Sequence, residues 1–186
     1  MDYLILVNKK NPIPKNFCPD LVISDNGKML EKSTSESFLC MKSAALCNGL
    51  KIKLLSGYRS PEYQENLIKN GIIGRISMGM TKEEAEIDTY KNIAPPYCSE
   101  HNTGLALDIV TEEDDDVYDE FDKTMEFRWL KENAQRYGFI LRYPQNSIEI
   151  TGYIYEPWHF RYVGKDLARA IEGSDKTLEE YLTYCE

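Results

Sequence analysis

The whole chain has two histidines, and each lies within a few residues of a carboxylate. His101 sits in Ser99-Glu100-His101-Asn102-Thr103-Gly104-Leu105-Ala106-Leu107-Asp108, and His159 in Glu156-Pro157-Trp158-His159. Imidazole and carboxylate are preferred ligands of a divalent cation such as zinc. A catalytic zinc takes three protein ligands and keeps a fourth position for water. His101, Asp108 and His159 supply three, for one ion per chain, and Glu156 is left over as a general base. A third stretch, Ser56-Gly57-Tyr58-Arg59-Ser60, sets an arginine where a strand turns into a helix. There its guanidinium can hold a carboxylate through two parallel hydrogen bonds. Gln64, on the first turns of that helix, can reach the same pocket.

Taken singly, these residues have blander readings. A lone histidine is more often structural than a ligand, Arg59 alone reads as a surface ion pair, and Trp158 and Tyr58 read as packing. What favours a metal is that both histidines stand beside an acid and a tight-turn residue. Cys98 near His101 suggests a thiol nucleophile with its base, but such pairs normally come together from distant parts of a chain.

The elements around these residues must bring them together. The Asn102-Thr103-Gly104 turn lets the chain double back between His101 and a strand over 105–110. Along that strand Leu105, Leu107 and Ile109 face one side, and Ala106 and Asp108 the other. The small Ala106 leaves room beside a metal. Residues three apart in a flat strand point to opposite faces, so Glu156 and His159 share a site only if Pro157-Trp158 forms a turn or bulge. The base also needs burial to raise its pKa, which Trp158 and Tyr155 are placed to supply.

Further out, residues 3–7 read as a short buried strand ended by Asn11-Pro12-Ile13-Pro14. Ser33-Thr34-Ser35 offer caps for a helix running to Gly49. Lys51–Ser56 alternates as a strand, and Ser60-Pro61 starts a helix expected to end at Gly71. Thr81-Lys82-Glu83-Glu84 and Thr177-Leu178-Glu179-Glu180 are capping boxes. Residues 112–116 read as a solvated acidic loop rather than a calcium site. Residues 124–137 read as a helix presenting Met125, Trp129, Leu130 and Ala134, and residues 139–143 and 160–163 read as strands. The sum is one mixed α+β domain over residues 1–186, with a small central antiparallel sheet flanked by helices.

Composition limits the partners. The formal net charge of -9 argues against nucleic acid or an anionic membrane surface as the main partner. The segment Met1–Lys10 is too short in apolar residues for an export signal or an anchor, so a cytoplasmic protein is expected. Five cysteines without a C-x-x-C pair fit a reducing compartment.

Three ordered motifs resemble those of a known family. Ser99-x-His101-x-x-Gly104-x-Ala106-x-Asp108, Glu156-x-Trp158-His159 and Ser56-Gly57-Tyr58-Arg59-Ser60 with Gln64 resemble the signatures of the VanY-type D-alanyl-D-alanine carboxypeptidases. These belong to zinc peptidases that include lysostaphin-like and hedgehog-like folds. The likeness runs from Leu6-Val7-Asn8-Lys9 to Thr177–Leu182, and is nearest to the VanXY branch of D,D-dipeptidase/D,D-carboxypeptidases from vancomycin-resistance clusters. It implies zinc on His101, Asp108 and His159, and Glu156 as base. It also implies Arg59 on the scissile carbonyl or the substrate carboxylate, with Ser99, Gln64, Ser56 and Trp158 in the pocket. The implied substrate is a small peptidoglycan stem peptide ending in D-Ala-D-Ala. One departure bears on substrate size. Dipeptidase members carry an aspartate where this chain has Ser56, and a free dipeptide has an ammonium that favours a carboxylate there. Ser56 therefore tilts the expectation toward carboxypeptidase activity. An L,D-carboxypeptidase that trims tetrapeptides shares all three motifs. A zinc-binding module without catalysis is the reading from another class, and the intact Glu156 argues against it.

Overall fold

Strand pairing makes the two histidine segments neighbours. The computed structural model describes residues 2–184. The chain forms a small hairpin of β1 (Leu21–Ile23) and β2 (Met29–Glu31), which runs directly into helix α1 (Lys32–Cys47). Its cap is the buried Glu31, whose carboxylate accepts from the Thr34 backbone N–H at 2.9 Å and the Thr34 hydroxyl at 3.0 Å. The expected caps at Ser33–Ser35 lie inside the first turn instead. A carboxylate at the helix start satisfies a free N–H and also meets the positive end of the dipole.

Strand β3 (Ile52–Ser56) then leads into α2 (Pro61–Ser77), where the Ser60 hydroxyl accepts from the Tyr63 N–H at 3.1 Å. This helix runs past Gly71, where the sequence pattern places its end. The glycine is a contact point: a Cβ there would lie 3.2 Å from Thr89 Cγ2 and 3.3 Å from Ile93 Cδ1. Thr89 belongs to α3 (Lys82–Asn92), so packing between the two helices outweighs the low helix propensity of glycine. The Thr81/Glu84 capping box opens α3 as expected.

Strand β4 (Ala106–Thr111), α4 (Met125–Asn133), β5 (Phe139–Leu141), the single turn α5 (Ile148–Thr151) and β6 (His159–Tyr162) follow. Helices α6 (Lys165–Ser174) and α7 (Leu178–Tyr184) close the described chain. Helix α4 buries Phe127 and Leu130 and packs Trp129 against the core, with Ala134 buried just beyond its end; of the expected inward residues Met125 departs, being 58% exposed.

Four strands make one antiparallel sheet in the order β3-β4-β6-β5. On one face Ile52, Leu54, Leu107, Ile109, Phe139 and Phe160 pack against Phe38, Met41 and Ala45 of α1 and Phe127 and Leu130 of α4. Asp108 and His159 sit opposite each other in the β4–β6 ladder, as do Ala106 and Arg161. Directly opposed residues share a face, so Asp108, His159 and Arg161, with the small Ala106, lie together away from that core.

The expected strand at 3–7 does not form. The carbonyl oxygens of Tyr3 and Ile5 accept from the buried Arg161 guanidinium at 3.2 and 2.8 Å. These carbonyls solvate a cation and join no ladder. Among the described residues no helix is long and apolar enough to cross a membrane. Cys18, Cys40, Cys47 and Cys98 are free thiols, and Cys185 lies outside the described residues.

Candidate active site

The nine residues singled out in the sequence (Ser56, Arg59, Gln64, Ser99, His101, Asp108, Glu156, Trp158 and His159) line one cleft of about 630 Å³. Each is placed by a local device. In β3 strict alternation would put Ser56 on the core face with Ile52 and Leu54. The register slips between Leu54 and Ser56, so Leu54 pairs with Ile109 while Ser56 pairs with Asp108. This bulge turns the hydroxyl onto the polar face. Glu156 comes alongside His159 through a turn at Pro157-Trp158, closed by a hydrogen bond from the His159 N–H to the Glu156 carbonyl at 3.2 Å. His101 lies in a short turn (Glu100–Thr103) that ends at Gly104 with φ of 73°.

His101, Asp108 and His159 are all buried, and each offers a ligand atom within 4.8 Å of the others'. Nε2 of His101 stands 3.4 Å from Asp108 Oδ2, and Nδ1 of His159 stands 3.2 Å from Asp108 Oδ1. Two ligands around a tetrahedral zinc sit roughly 3.4 Å apart, given bonds of about 2.0–2.1 Å. The donor set and its spacing therefore fit such an ion. The tautomer fits as well. Nδ1 of His101 lies 2.7 Å from the Gly57 carbonyl, which only accepts, so Nδ1 carries the proton and Nε2 keeps its lone pair toward the cluster.

Glu156 reaches within 3.7 Å of His159 Nδ1 and is 7% exposed. Burial pushes its carboxyl up to about 7; the nearby His159 pulls the other way, and Asp108 adds to the rise. A base near neutrality is suited to taking and returning a proton. Tyr155 does not line the cleft, and its hydroxyl faces Asp122 at 3.4 Å. Tyr143 and Tyr153 line the cleft instead, with the Tyr143 ring 4.8 Å from that of His159.

Arg59 donates from Nε to Ser56 Oγ at 2.9 Å and from Nη2 to Asp108 Oδ2. Burial alone would raise the Asp108 carboxyl, but His101 and Arg59 outweigh it and hold the group well below the usual range. Gln64 donates to the Ala94 carbonyl at 2.9 Å, and its buried Oε1 has no protein partner. That oxygen is available to a ligand N–H.

Sequence reasoning passed over the charged cluster at the floor of the cleft, centred on Glu100. Glu100 is 1% exposed and sits between Arg142 and Arg161, each with a guanidinium nitrogen 2.8 Å from Glu100 Oε1. Burial opposes ionisation of Glu100, and the two arginines overcome it, holding the carboxyl well below its ordinary range. The signal was present in the strands: Arg142 follows Phe139-Ile140-Leu141, and Arg161 stands between Phe160 and Tyr162. A charge within so apolar a run asks for a buried partner.

Residues 27–165 match the family model described as VanY, D-alanyl-D-alanine carboxypeptidase. YodJ of Bacillus subtilis (strain 168) is 38% identical over 96% of this chain, which spans 66% of that relative. The chain likewise spans 65% of a D-alanyl-D-alanine carboxypeptidase of Enterococcus faecalis. VanXYC of Enterococcus gallinarum, a bifunctional D-Ala-D-Ala dipeptidase and carboxypeptidase, is 35% identical over 99% of this chain and 95% of its own length. Among solved structures, a VanY D,D-pentapeptidase from a VanB-type resistance cassette, crystallised with Zn(II), superposes with a TM-score of 0.88. It is 37% identical, covering 98% of this chain and 99% of that one. The fold agrees with these matches, and the chain belongs to the VanY family of D-alanyl-D-alanine carboxypeptidases.

Proposed function

We propose that this chain is a zinc-dependent D,D-carboxypeptidase that removes the terminal D-alanine from peptidoglycan stem peptides ending in D-Ala-D-Ala. The setting we infer is resistance to vancomycin-type antibiotics, in a reducing, cytoplasmic compartment in keeping with four free thiols. The observation that carries the reading is the juxtaposition of Asp108 and His159 across one ladder, with His101 Nε2 at 3.4 Å and Glu156 at 3.7 Å.

His101, Asp108 and His159 would hold the ion. When bound, zinc polarises the scissile carbonyl and makes the attacking water more acidic. Glu156 takes a proton from that water as the new C–O bond forms. It then passes the proton to the amine nitrogen as the C–N bond breaks, giving free D-alanine and a peptide one residue shorter. Arg59, beside Asp108 in the cleft, stabilises the negative charge that develops on the carbonyl oxygen. Ser56, Gln64, Ser99 and Trp158 form the walls around the substrate. Ser56 carries no charge to pair with a dipeptide's ammonium, which favours the long precursor over free D-Ala-D-Ala.

Mass spectrometry of a peptide panel incubated with zinc-loaded protein tests this reading. Peptides ending in D-Ala-D-Ala should lose one D-alanine, faster than the free dipeptide is split. Exclusive cleavage of L-Lys-D-Ala ends, or of D-Ala-D-lactate, would replace the assignment. Glu156→Gln should keep zinc and lower turnover by roughly 100- to 10,000-fold. Unchanged turnover would move the base elsewhere.

A further inference from the structure

Among the buried polar atoms at the floor of the cleft that lack a hydrogen bond, two face each other. These are Glu100 Oε2 and His159 Nε2, 3.6 Å apart. We propose that Glu100 is the positioning residue for His159: it accepts the Nε2–H, so that Nδ1 keeps its lone pair for the metal. The inference rests on the zinc reading of the site given above.

The carboxylate is fixed from behind. Arg142 Nε and Arg161 Nη1 both lie 2.8 Å from Oε1, the oxygen turned away from His159. Arg142 is itself gripped by Glu179 of α7, through contacts of 2.8 and 2.6 Å. With Oε1 taken by two cations, Oε2 is the acceptor presented to the imidazole. An imidazole that ligates a metal is neutral and carries one N–H. A proton on Nδ1 would leave the Nε2 lone pair against a carboxylate oxygen, two acceptors 3.6 Å apart with no room for a water between them. A proton on Nε2 removes that repulsion and leaves the Nδ1 lone pair facing Asp108 Oδ1, 3.2 Å away, the same kind of contact, which a cation held between the two atoms would relieve. His101 is fixed in the opposite sense, with its Nδ1 on the Gly57 carbonyl at 2.7 Å. The two histidines therefore bind through different ring atoms: His101 through Nε2 and His159 through Nδ1.

NMR of the full cadmium-substituted chain with labelled histidine nitrogens reads those atoms directly through metal–nitrogen couplings. Couplings to His101 Nε2 and His159 Nδ1, with a hydrogen-bonded Nε2–H on His159, are the expected pattern. Coupling to His159 Nε2 overturns this proposal and leaves the zinc reading intact. Coupling to neither histidine overturns the zinc reading itself and the proposal with it. Glu100→Gln supplies a second test, read by competition for zinc with a chromophoric chelator. The carboxamide must give its oxygen to the arginines and present its NH2 to His159, which forces Nε2 to accept. Zinc affinity should fall about 10- to 100-fold. Affinity unchanged in a folded Glu100→Gln protein counts against the proposal, and if that variant does not fold, the couplings in the unaltered chain decide.

Discussion

Arg59 serves two partners on one short corner, Ser56 through Nε and Asp108 through Nη2. Lysine is a single point charge without the planar fork, so it cannot meet both. Arg59→Lys should lower kcat/KM on a D-Ala-D-Ala pentapeptide by roughly 100-fold, while zinc content measured by atomic absorption stays at one per chain. Ser56 offers a test of substrate size. Ser56→Asp would set a carboxylate in the cleft, and a charged hydrogen bond to a dipeptide ammonium is worth about 1.5 kcal/mol or more. The ratio of dipeptide to pentapeptide kcat/KM should then rise about tenfold; a fall would show that the new charge engages Arg59 instead. At this scale the cleft was largely legible, because its residues cluster in three short motifs. The arginine-clamped Glu100 was not, since adjacency to His101 says nothing about burial and most acids in a sequence are solvated.

Among the elements, the turn that ends at Gly104 tolerates little change. Its φ is 73°, and a Cβ there would come within 2.8 Å of the Glu31 backbone nitrogen and 2.9 Å of Leu21 Cδ2. Gly104→Ala therefore combines backbone strain with a collision against the β1–β2 hairpin. Urea denaturation should show a loss of about 2 kcal/mol or more. Helix starts were readable because capping boxes are local chemistry, as Thr81 with Glu84 shows. Three features escaped because non-local contacts decide them. Gly71 stays helical to let α3 approach, the 3–7 segment gives its carbonyls to Arg161, and β3 slips by one residue before Ser56. No pattern within a strand announces a bulge whose purpose lies on the neighbouring strand.

For the molecule as a whole, loss of the metal and a fall in pH should each lower stability. Stripping the ion with a chelator should lower the thermal midpoint, and zinc at a hundred times its dissociation constant should return about 2.7 kcal/mol. Calorimetry showing no shift would disconnect the cluster from folding. The Glu100 carboxyl is held below its ordinary 4.5 in the folded state by Arg142 and Arg161. Such a group stabilises the fold above its unfolded pKa, and the stabilisation is lost as pH falls below that value. Urea midpoints of the metal-free chain should therefore be lower at about pH 3 than at about pH 6, and Glu100→Gln should flatten that difference.

The sheet order has one more consequence. Strands β4 and β6 are the inner pair, with β3 and β5 flanking them, so the backbone around Asp108 and His159 has no free edge. Amide protons of those two strands should exchange with heavy water only through global opening, at the slowest rates in the molecule. Chelation should leave that pattern intact up to the stability the ion confers. An emptied cage held rigid in this way refills without first having to refold.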